Sequence, residues 1–377
     1  MGPDIGRPIR LARKTASGLN DIPLKTAASR RIPVRQRHSH PDPGKNTRRF
    51  IVKISIAIAT CNGARHLPGQ LDSFIRQKKP PHEVVICDDG SSDSTMAILH
   101  KFQKNAPFEV RIEQNPNRLG YRKNFEKAIS LCTGDFIFLS DQDDYWFDTK
   151  ILEMTNLFSA RPDIYVIYTD MVITDENLTP SRQTQLGNIL ALGCRAETYV
   201  SGCATALRRD WLSIVLPMPT EVAAHDTWIH NLASALDVRA LCLPPQQYYR
   251  RHDKNVSQWR ASKPEQMNSL DSIRIYGLAD KTAAWRRELK RTCWTRKRLQ
   301  ESTENLKALG LLSRQATAIQ KLDRRISALE ARIQNNTQNR LKRFPRIMKL
   351  WLSGDYNNFS GWKSVLKDII RQQSNYS

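Results

Sequence analysis

The first half of the chain alternates between short apolar runs and longer segments in which apolar residues recur every three or four positions. The apolar runs are rich in β-branched residues, which is typical of buried strands. They predict four strands, at residues 50–59, 83–87, 110–113 and 135–140. The intervening segments predict three helices, at residues 66–77, 94–103 and 123–131. Strands that alternate with helices through short loops indicate an α/β fold with a mostly parallel, Rossmann-like sheet flanked by helices.

The pattern changes beyond residue 260. Residues 281–343 are rich in Arg, Lys, Gln, Glu and Leu, and they contain apolar residues at alternating spacings of three and four. These residues form a helical seam: Ile319, Leu322, Ile326, Leu329 and Ile333. The segment therefore predicts a pair of packed helices. A last unit runs from Leu350 to Arg371, and we expect Pro345 and the turn at Gly354 to separate its pieces.

The formal net charge of +22 would suit a nucleic-acid-binding protein, but the charge is unevenly distributed. Residues 1–50 contain 12 basic and 3 acidic residues, and residues 281–377 contain 22 and 7. Residues 51–280 contain 25 basic and 27 acidic residues. A nearly neutral centre favours an enzyme core with basic flanks, and we expect no nucleic-acid partner. A basic nucleic-acid-binding protein with a nucleotide-enzyme-like α/β core is the alternative.

These patterns divide the chain into three parts. Residues 1–49 mix Pro, Ser, Arg and His with few aromatic residues, and we expect them to be a disordered basic tail. Residues 50–260 are the expected α/β domain. Residues 261–377 are the expected basic helical C-terminal extension.

The cysteines and the hydropathy bear on the compartment. Seven cysteines without a C-x-x-C pair favour a reducing, cytoplasmic compartment over a disulfide framework. No apolar run approaches the roughly 20 residues that span a bilayer. Lys and Arg in the flanks would be attracted to an anionic leaflet, which predicts a peripheral position on the cytoplasmic face of the inner membrane. The same residues could instead form solvated helix faces.

Polar clusters follow three of the predicted strands. They are Thr60–Asn62, Asp88–Asp93 and Asp141–Asp144. Ligands of open parallel sheets bind outside the carboxyl ends of the strands, so we expect the three clusters to converge on one site. Neither G-x-x-x-x-G-K-[ST] nor G-x-G-x-x-G occurs in the sequence, which disfavours kinases and dehydrogenases.

The segment Asp141-Gln142-Asp143-Asp144 places three carboxylates within four residues. Their mutual repulsion predicts a counter-cation. Mg²⁺ and Mn²⁺ are suitable candidates, because hard divalent cations take oxygen ligands, commonly carboxylates together with substrate phosphates. The alternative is an acidic helix N-terminus that answers the helix dipole. The position directly after a buried strand, beside the other clusters, favours the metal site.

Four linked motifs lie in residues 53–258: Ile56-Ala-Ile-Ala-Thr-Cys-Asn-Gly, Val84-Val-Ile-Cys-Asp-Asp-Gly-Ser-Ser-Asp-Ser-Thr, Asn117-Arg-Leu-Gly and Gly134-Asp-Phe-Ile-Phe-Leu-Ser-Asp-Gln-Asp-Asp-Tyr-Trp. In this order the motifs resemble those of the family 2 glycosyltransferases of the GT-A fold. The last of them is similar to a bacterial rhamnosyltransferase-like branch that builds surface polysaccharides. The resemblance implies a metal-dependent, inverting enzyme. It would move rhamnose or another hexose from a dTDP- or UDP-sugar to a saccharide or lipid-linked saccharide hydroxyl.

The resemblance also implies roles for residues on the donor side. The donor-binding residues would be Thr60, Asn62, Asp89, Asn117, Gly120, Asn124, Asp141 and Arg251. Among them, Asp89 would bind the pyrimidine base, since a carboxylate can accept the N3–H of uracil or thymine. Asp141 would face the ribose, and Asp143 would bind the metal.

On the acceptor side, the resemblance places the catalytic base at Asp226, which would take the proton of the attacking hydroxyl. Gly202 would allow close approach of a ligand, although its segment could also be a tightly packed strand. Trp228 would form an apolar wall against the sugar. Two other interpretations of His225-Asp226 are a helix N-cap and the metal pair of a phosphohydrolase, for which His230 is the nearby candidate ligand.

The segment Tyr248-Tyr-Arg-Arg-His-Asp-Lys-Asn resembles a mobile segment that follows the core domain in this family. By that resemblance Arg251, or its neighbour Arg250, would pair with the diphosphate. His252 would be an additional metal ligand. A solvated basic loop is the alternative interpretation.

Overall fold

A computed structural model of the chain describes residues 52–253, 255, 262, 265, 281–359 and 361–371. The expected disordered tail at residues 1–49 lies outside the described residues. Most of residues 261–280, where the expected extension begins, also lie outside them. The two predicted domain boundaries therefore stay predictions.

The first seven elements alternate between strands and helices, as the sequence predicts. They are β1 (Ile54–Thr60), α1 (Leu67–Ile75), β2 (Glu83–Asp88), α2 (Thr95–Asn105), β3 (Glu109–Gln114), α3 (Tyr121–Ser130) and β4 (Phe136–Ser140). Except at the start of β1, which begins at Ile54 rather than at residue 50, their ends agree with the prediction to within about two residues. The agreement is close because these runs are both apolar and bounded by polar turn residues.

The second half of the domain is more irregular. Its elements are β5 (Tyr145–Trp146), α4 (Lys150–Ala160), β6 (Val166–Thr169), β7 (Val172–Thr174), β8 (Pro180–Thr184), α5 (Gln185–Ala191), β9 (Thr205–Arg208), α6 (Leu212–Val215), α7 (His225–Ala235), β10 (Arg239–Cys242) and β11 (Gln247–Arg250). A Thr184 side chain caps α5 by accepting a hydrogen bond from the Gly187 amide.

Seven strands form the main sheet, in the order β10-β6-β9-β4-β1-β2-β3. Every neighbouring pair is parallel except those of β9, which runs antiparallel to β4 and to β6. The predicted α/β class with a mostly parallel sheet is confirmed. In the register, Thr60 pairs with Asp88 and Ile58 pairs with Ser140, so β1, β2 and β4 end at the same edge.

Helices cover both faces of this sheet, and its central strands β1, β2 and β4 are buried almost throughout. Ala57 and Leu139 face one core, together with residues of α3 and α7. Ile56 and Phe138 face the other core, together with residues of α1 and α4. Burial on both sides leaves the carboxyl ends of the strands as the place where polar side chains can collect.

A smaller sheet has the order β5-β11-β7-β8. β11 runs antiparallel to β5 and parallel to β7. Since β5 begins at Tyr145, directly after Asp144, this pairing brings the segment that ends at Arg250 alongside the acidic turn. Two parts of the chain more than 100 residues apart thus meet at one edge.

Five helices make up the C-terminal part of the described chain. They are α8 (Thr282–Glu301), α9 (Thr303–Ala308), α10 (Leu312–Asn336), α11 (Arg340–Leu352) and α12 (Trp362–Ile370). The predicted helix pair is confirmed, because α8 and α10 pack against each other and against α7. Leu299 and Ala318 belong to the same buried core as Leu236 of the α/β domain.

Pro345 does not separate two pieces of structure, so that prediction was wrong. It lies inside α11, where it removes one amide donor and costs about 3 kcal/mol in a helix interior. Flanking burial holds the helix together: Ile347 is fully packed, and the buried Arg343 guanidinium donates to the carbonyls of Ile369 and Arg371. Among the described residues, no helix combines the length and the apolar composition needed to cross a bilayer.

Candidate functional site

The ends of β1 and β2 are joined by side-chain hydrogen bonds. The Thr60 hydroxyl donates to Asp88 Oδ2 over 2.9 Å, and the Asp89 amide donates to the Thr60 carbonyl over 2.8 Å. Asn62 adopts a positive φ of 50°, and its Oδ1 accepts from the Ser92 amide over 2.8 Å. The first two predicted clusters therefore form one continuous rim of the sheet.

Asp89 organises the loop that follows β3. Its buried carboxylate accepts from the amides of Leu119 and Gly120 over 2.7 and 2.9 Å, and from the Asn115 side chain over 3.0 Å. Gly120 has a φ of 80°, which a side chain would disfavour. A carboxylate has about four acceptor positions, so one position on Asp89 stays available to a ligand donor.

Asn124 and Asn117 have different surroundings. Asn124 is buried, and its side-chain amide donates to the Cys87 carbonyl over 2.8 Å while its Oδ1 accepts from Asn115 over 2.8 Å. Asn124 therefore links the loop that Asp89 organises to the end of β2. Asn117 is exposed in the same loop, where a ligand could reach it.

The acidic turn is attached to β1 through Gln142. Its Oε1 accepts from the Cys61 amide over 2.9 Å, and its Nε2 donates to the Cys61 carbonyl over 3.1 Å. This two-point contact fixes the turn relative to the rim at Thr60. Sequence reasoning missed Gln142, although it is the one uncharged residue among three aspartates.

Asp143 meets His252 at the edge between the two sheets. His252 Nε2 lies 2.8 Å from Asp143 Oδ2, and both side chains are mostly buried. Asn255 Nδ2 lies 3.4 Å from the same oxygen. The two residues expected to hold a metal are thus brought together from positions 109 residues apart.

Asp144 points inward, where it accepts from Gln247 Nε2 over 3.0 Å and from the Arg250 amide over 3.3 Å. Burial, together with the neighbouring Asp143, raises the pKa of Asp144 to about 7. Lys150 lies in the same interior, and burial lowers its pKa to about 7. Its ammonium group donates to the Cys203 carbonyl over 2.9 Å and to Gln247 Oε1.

Asp141 is half-buried beside these groups. Withdrawal from water and then the charges of Asp143 and Asp144 raise the pKa of Asp141 well above its ordinary range. Ligand atoms of Asp141, Asp144 and Cys203 all lie within 4.8 Å of one another. Among the described residues, this region therefore collects the carboxylate oxygens that a hard divalent cation prefers.

The two arginines that end β11 have different contacts. Arg250 Nε donates to the Asp143 carbonyl over 2.7 Å, so its guanidinium lies at the acidic turn. Arg251 donates to the Tyr249 hydroxyl over 3.2 Å. The structure thus places Arg250, the second of the two sequence candidates, in direct contact with the turn.

Gly202 and the start of α7 form the opposite side of the site. A Cβ on Gly202 would lie 2.6 Å from His225 Nε2, so a side chain there would displace His225, and it would touch the Cβ of Asp226 at 3.4 Å. Asp226 lies in the first turn of α7, and its Oδ1 accepts from the Thr227 amide over 2.5 Å. After burial and the charges of Asp143 and Asp144, the charge of Asp226 also raises the pKa of Asp141.

His225 is buried and stacks on Phe125, with ring centroids 4.0 Å apart. Within the described residues, neither of its ring nitrogens has a hydrogen-bond partner. Burial lowers its pKa, so the ring is held neutral. His230 is occupied elsewhere, because its nitrogens lie 2.8 Å from the Thr205 hydroxyl and 3.1 Å from Arg239 NH1. The phosphohydrolase interpretation, which needs His230 as a ligand beside Asp226, is not supported.

Trp228 does not line the acceptor side, and that expectation is corrected. The side chain is 2% exposed, and its Nε1 donates to the Val215 carbonyl over 2.9 Å. It belongs to the core that α7 shares with α6 and α8. At the start of an amphipathic helix the buried face takes the large aromatic residue, and Asp226 is left at the edge.

Lys150 and Gln247 are further site residues that sequence reasoning missed. Lys150 carried a signal, because it shares the buried face of α4 with Met154 and Phe158 at spacings of four. A charged residue on an apolar stripe needs polar partners inside the protein. Gln247 carried no comparable signal, since its contact with Asp144 joins positions 103 residues apart.

The chain is similar in sequence to known glycosyltransferases. Residues 55–216 match the family model described as glycosyl transferase family 2. A dTDP-rhamnosyl transferase, RfbG of Shigella flexneri, is 26% identical over 212 residues, which covers 52% of this chain and 72% of that protein. An uncharacterized glycosyltransferase of Nostoc sp. is 25% identical over 175 residues, covering 44% of this chain and 54% of the relative. The chain therefore spans about half the length of the Nostoc protein.

Solved structures with similar folds include TarS of S. aureus in complex with UDP-GlcNAc. It has a TM-score of 0.46 and 15% identity, covering 72% of this chain and 90% of that one. The mannosyltransferase PcManGT of Pyrobaculum calidifontis, in complex with GDP-Man and Mn²⁺, has a TM-score of 0.43 and 15% identity, with 86% and 88% coverage.

Proposed function

Because residues 55–216 are a family 2 glycosyltransferase domain, we propose that the chain transfers rhamnose or another hexose from a pyrimidine nucleotide-sugar to a saccharide hydroxyl. A dTDP- or UDP-sugar is the donor, and the product enters cell-surface polysaccharide biosynthesis. The dTDP-rhamnosyl transferase of Shigella flexneri supports this choice, since the chain covers 72% of its length.

The proposed donor site follows the rim of the sheet. Thr60, Asn62 and Asp89 hold the nucleoside, and Asp89 accepts the base N3–H at its remaining acceptor position. Asn117 and Gly120 border the donor on the loop that Asp89 orders, and Asn124 keeps that loop in place. Asp141 faces the ribose, and the guanidinium group of Arg251 or Arg250 pairs with the diphosphate.

Mg²⁺ or Mn²⁺ is the proposed cofactor, and Asp143 with His252 would hold it. The donor set fits such an ion: a carboxylate oxygen of Asp143 lies 2.8 Å from an imidazole nitrogen of His252, beside the carboxylates of Asp141 and Asp144. When bound, the ion would offset the charge of the diphosphate leaving group. Asp144 accepts hydrogen bonds from Gln247 and from the Arg250 amide, and these bonds keep the turn in place.

Asp226 is the proposed catalytic base. It takes the proton of the acceptor hydroxyl, whose oxygen forms a bond to the anomeric carbon while the bond from that carbon to the diphosphate breaks. One displacement inverts the anomeric carbon, and the nucleoside diphosphate leaves. Gly202 lies beside Asp226 and leaves room for the acceptor. A lipid-linked saccharide at the cytoplasmic face of the inner membrane is the proposed acceptor.

The contact between Asp143 and His252 is the observation that carries the proposal, and it directs the test. We expect dTDP or UDP to raise the melting temperature only when Mn²⁺ or Mg²⁺ is present. A ligand at 100 times its Kd adds about 2.7 kcal/mol to the free energy of unfolding. The variant Asp143→Ala should lose this metal-dependent stabilisation, whereas Asp148→Ala, an exposed aspartate five residues on, should keep it.

Two results would contradict the proposal. One is equal stabilisation of Asp143→Ala and the unchanged protein by nucleotide and metal. The other is tight, salt-sensitive DNA binding without any response to nucleotides, which would favour the nucleic-acid alternative.

A further inference from the structure

Helix α11 turns an apolar face to the solvent. Its exposed or half-exposed apolar residues follow the helical spacings of three and four: Leu341, Phe344, Pro345, Met348 and Leu352. Leu341 is 87% exposed and Leu352 is 83% exposed. The opposite face is buried and includes Arg343 and Ile347. This orientation is the reverse of that expected for a helix on the surface of a globular protein.

Helix α12 has the same reversed orientation. Trp362, Leu366 and Ile370 lie at spacings of four, and each is at least 42% exposed. Val365 and Asp368 face inward. Large apolar side chains are thus exposed on both helices, while one charged residue of each, Arg343 and Asp368, is buried.

The two exposed stripes belong to one surface. Leu341 and Phe344 of α11 line a groove of about 420 Å³ together with Ile370 of α12. We define the apolar face as Leu341, Phe344, Pro345, Leu352, Trp362, Leu366 and Ile370. Contiguous exposed apolar surface of this kind indicates an interaction site.

Positive charge borders the apolar face. Lys342, Arg346 and Lys349 lie on one flank of α11 at spacings of four and three, and all are exposed. In α12, Lys363 is exposed and Lys367 partly exposed, each one position after an exposed apolar residue of that helix. Residues 340–352 contain no Asp or Glu, and the single acidic residue of α12, Asp368, is buried against Arg332 at 2.7 Å. The charge on this surface is therefore of one sign.

We propose that the apolar face docks the protein on an anionic lipid surface, with α11 and α12 lying in the plane of the interface. Helices with an apolar face, a basic flank and aromatic residues bind membranes in this way. Trp351 and Trp362 are 47% and 63% exposed, and tryptophan is enriched at the headgroup level. A second copy of the chain fits less well, because two such surfaces repel each other. The basic segment at residues 1–50 is an unsuitable cover for the same reason.

This inference goes beyond the proposed transfer reaction. It assigns a lipid-binding surface to the C-terminal helices, remote from the acidic turn in sequence. Its use would be to hold the transferase site at the surface that carries a lipid-linked acceptor.

The test is co-sedimentation of the full chain with vesicles, without any donor sugar. We expect binding to phosphatidylcholine vesicles that contain phosphatidylglycerol, and little binding to phosphatidylcholine alone. Leu341→Gln/Leu352→Gln should weaken binding by on the order of tenfold or more, because two apolar side chains no longer enter the lipid. A matched pair of exposed apolar residues, Ile75→Gln/Leu190→Gln, should leave binding unchanged.

Removal of charge gives a second, independent variant. Lys342→Gln/Lys349→Gln should weaken binding to the anionic vesicles by roughly 30-fold, since each basic residue near the leaflet contributes about 1 kcal/mol. Lys101→Gln/Lys104→Gln removes the same charge from exposed positions on α2 and should have little effect.

Three results would overturn the inference: no binding of the unchanged chain to anionic vesicles, equal binding to neutral vesicles, or a dimer in sedimentation equilibrium that Leu341→Gln/Leu352→Gln dissociates. The nucleotide and metal melting assay separates this inference from the proposed function. Vesicle binding without a nucleotide response would contradict the transferase proposal alone. A nucleotide response without vesicle binding would contradict the lipid surface alone.

Discussion

The acidic edge of the sheet and the C-terminal helices place charge in opposite ways. In the α/β domain the two cores are apolar, and charged side chains such as Asp141, Asp143 and the buried Lys150 collect where the strands end. Beneath α11 and α12 the interior holds Arg332 of α10, Arg343 and Asp368, and the outside presents leucine, tryptophan and lysine.

The difference indicates what each region is built to contact. The carboxylates of the acidic edge accept hydrogen bonds from Gln247, the Arg250 amide and His252, and they are the oxygen ligands that a divalent cation prefers. The helices pair their acidic group internally, so positive charge and apolar surface remain outside. The first region suits a small, highly charged ligand, and the second suits an extended anionic surface.

The largest expected effect concerns the transfer step. Asp226→Asn keeps the size of the side chain but removes its basicity, so kcat should fall by about 10²- to 10⁴-fold. Metal-dependent nucleotide binding should be unchanged, because Asp226 lies on the acceptor side. Transfer kinetics and the nucleotide melting assay together provide the measurement. Asp210→Asn, at an exposed position before α6, is the control, and equal rates for both variants would exclude Asp226 as the base.

The next effect concerns the interior of the helices. Asp368→Asn removes the counter-charge of Arg332, whose guanidinium forms two hydrogen bonds to it at 2.7 and 3.0 Å. Breaking a buried pair from one side costs about 3–5 kcal/mol in the free energy of unfolding. Urea denaturation measures the loss, and Glu330→Gln, an exposed acid on α10, is the control. A loss below about 1 kcal/mol would show that the network is not a stabilising centre.

A smaller effect should follow at the acidic edge. Gln142→Ala removes two hydrogen bonds to Cys61, each contributing about 1 kcal/mol. The turn would then be less well fixed, and we expect nucleotide affinity in the presence of metal to fall by roughly 10- to 30-fold. Titration calorimetry provides the measurement. Gln142→Glu retains the acceptor for the Cys61 amide and should bind the nucleotide more tightly than Gln142→Ala. The reverse order of affinities would contradict the role of Gln142 in fixing the turn.

Sequence patterns were informative where one physical cause dominated. The strands β1 to β4 were predictable because they are buried on both faces, and their shared edge followed from the parallel order. The antiparallel direction of β9 was not predictable, since the pattern of apolar residues in a short strand does not indicate which way the strand runs. The meeting of Asp143 with His252 was accessible only through the family resemblance, because it depends on how β11 pairs with β5.

The errors have physical causes as well. Pro345 usually ends a helix, but here tertiary contacts of Arg343 and Ile347 keep α11 continuous. Trp228 lies two positions after the predicted base, and two steps along a helix rotate a side chain by about 200°, which carries it from the site into the core. Local patterns predict which elements form, and tertiary packing decides where each side chain points.

The smallest effect concerns the stability of the α/β domain in acid. This domain buries the neutral imidazole of His230, whereas the C-terminal helices bury the charged pair of Arg332 and Asp368. Burial, together with Arg239 and His225, lowers the pKa of His230 well below 6.5. Below about pH 6.5 His230 therefore binds a proton in the unfolded chain but not in the folded chain, so acidification favours unfolding. His230 should contribute a loss of about 1.4 kcal/mol for each pH unit below this value. We expect the melting temperature of His230→Gln to fall less between pH 6.5 and pH 5 than that of the unchanged protein. The control is His100→Gln, at an exposed position on α2, whose melting temperature should fall as much as that of the unchanged protein. An unchanged slope in His230→Gln would place the acid-sensitive group elsewhere.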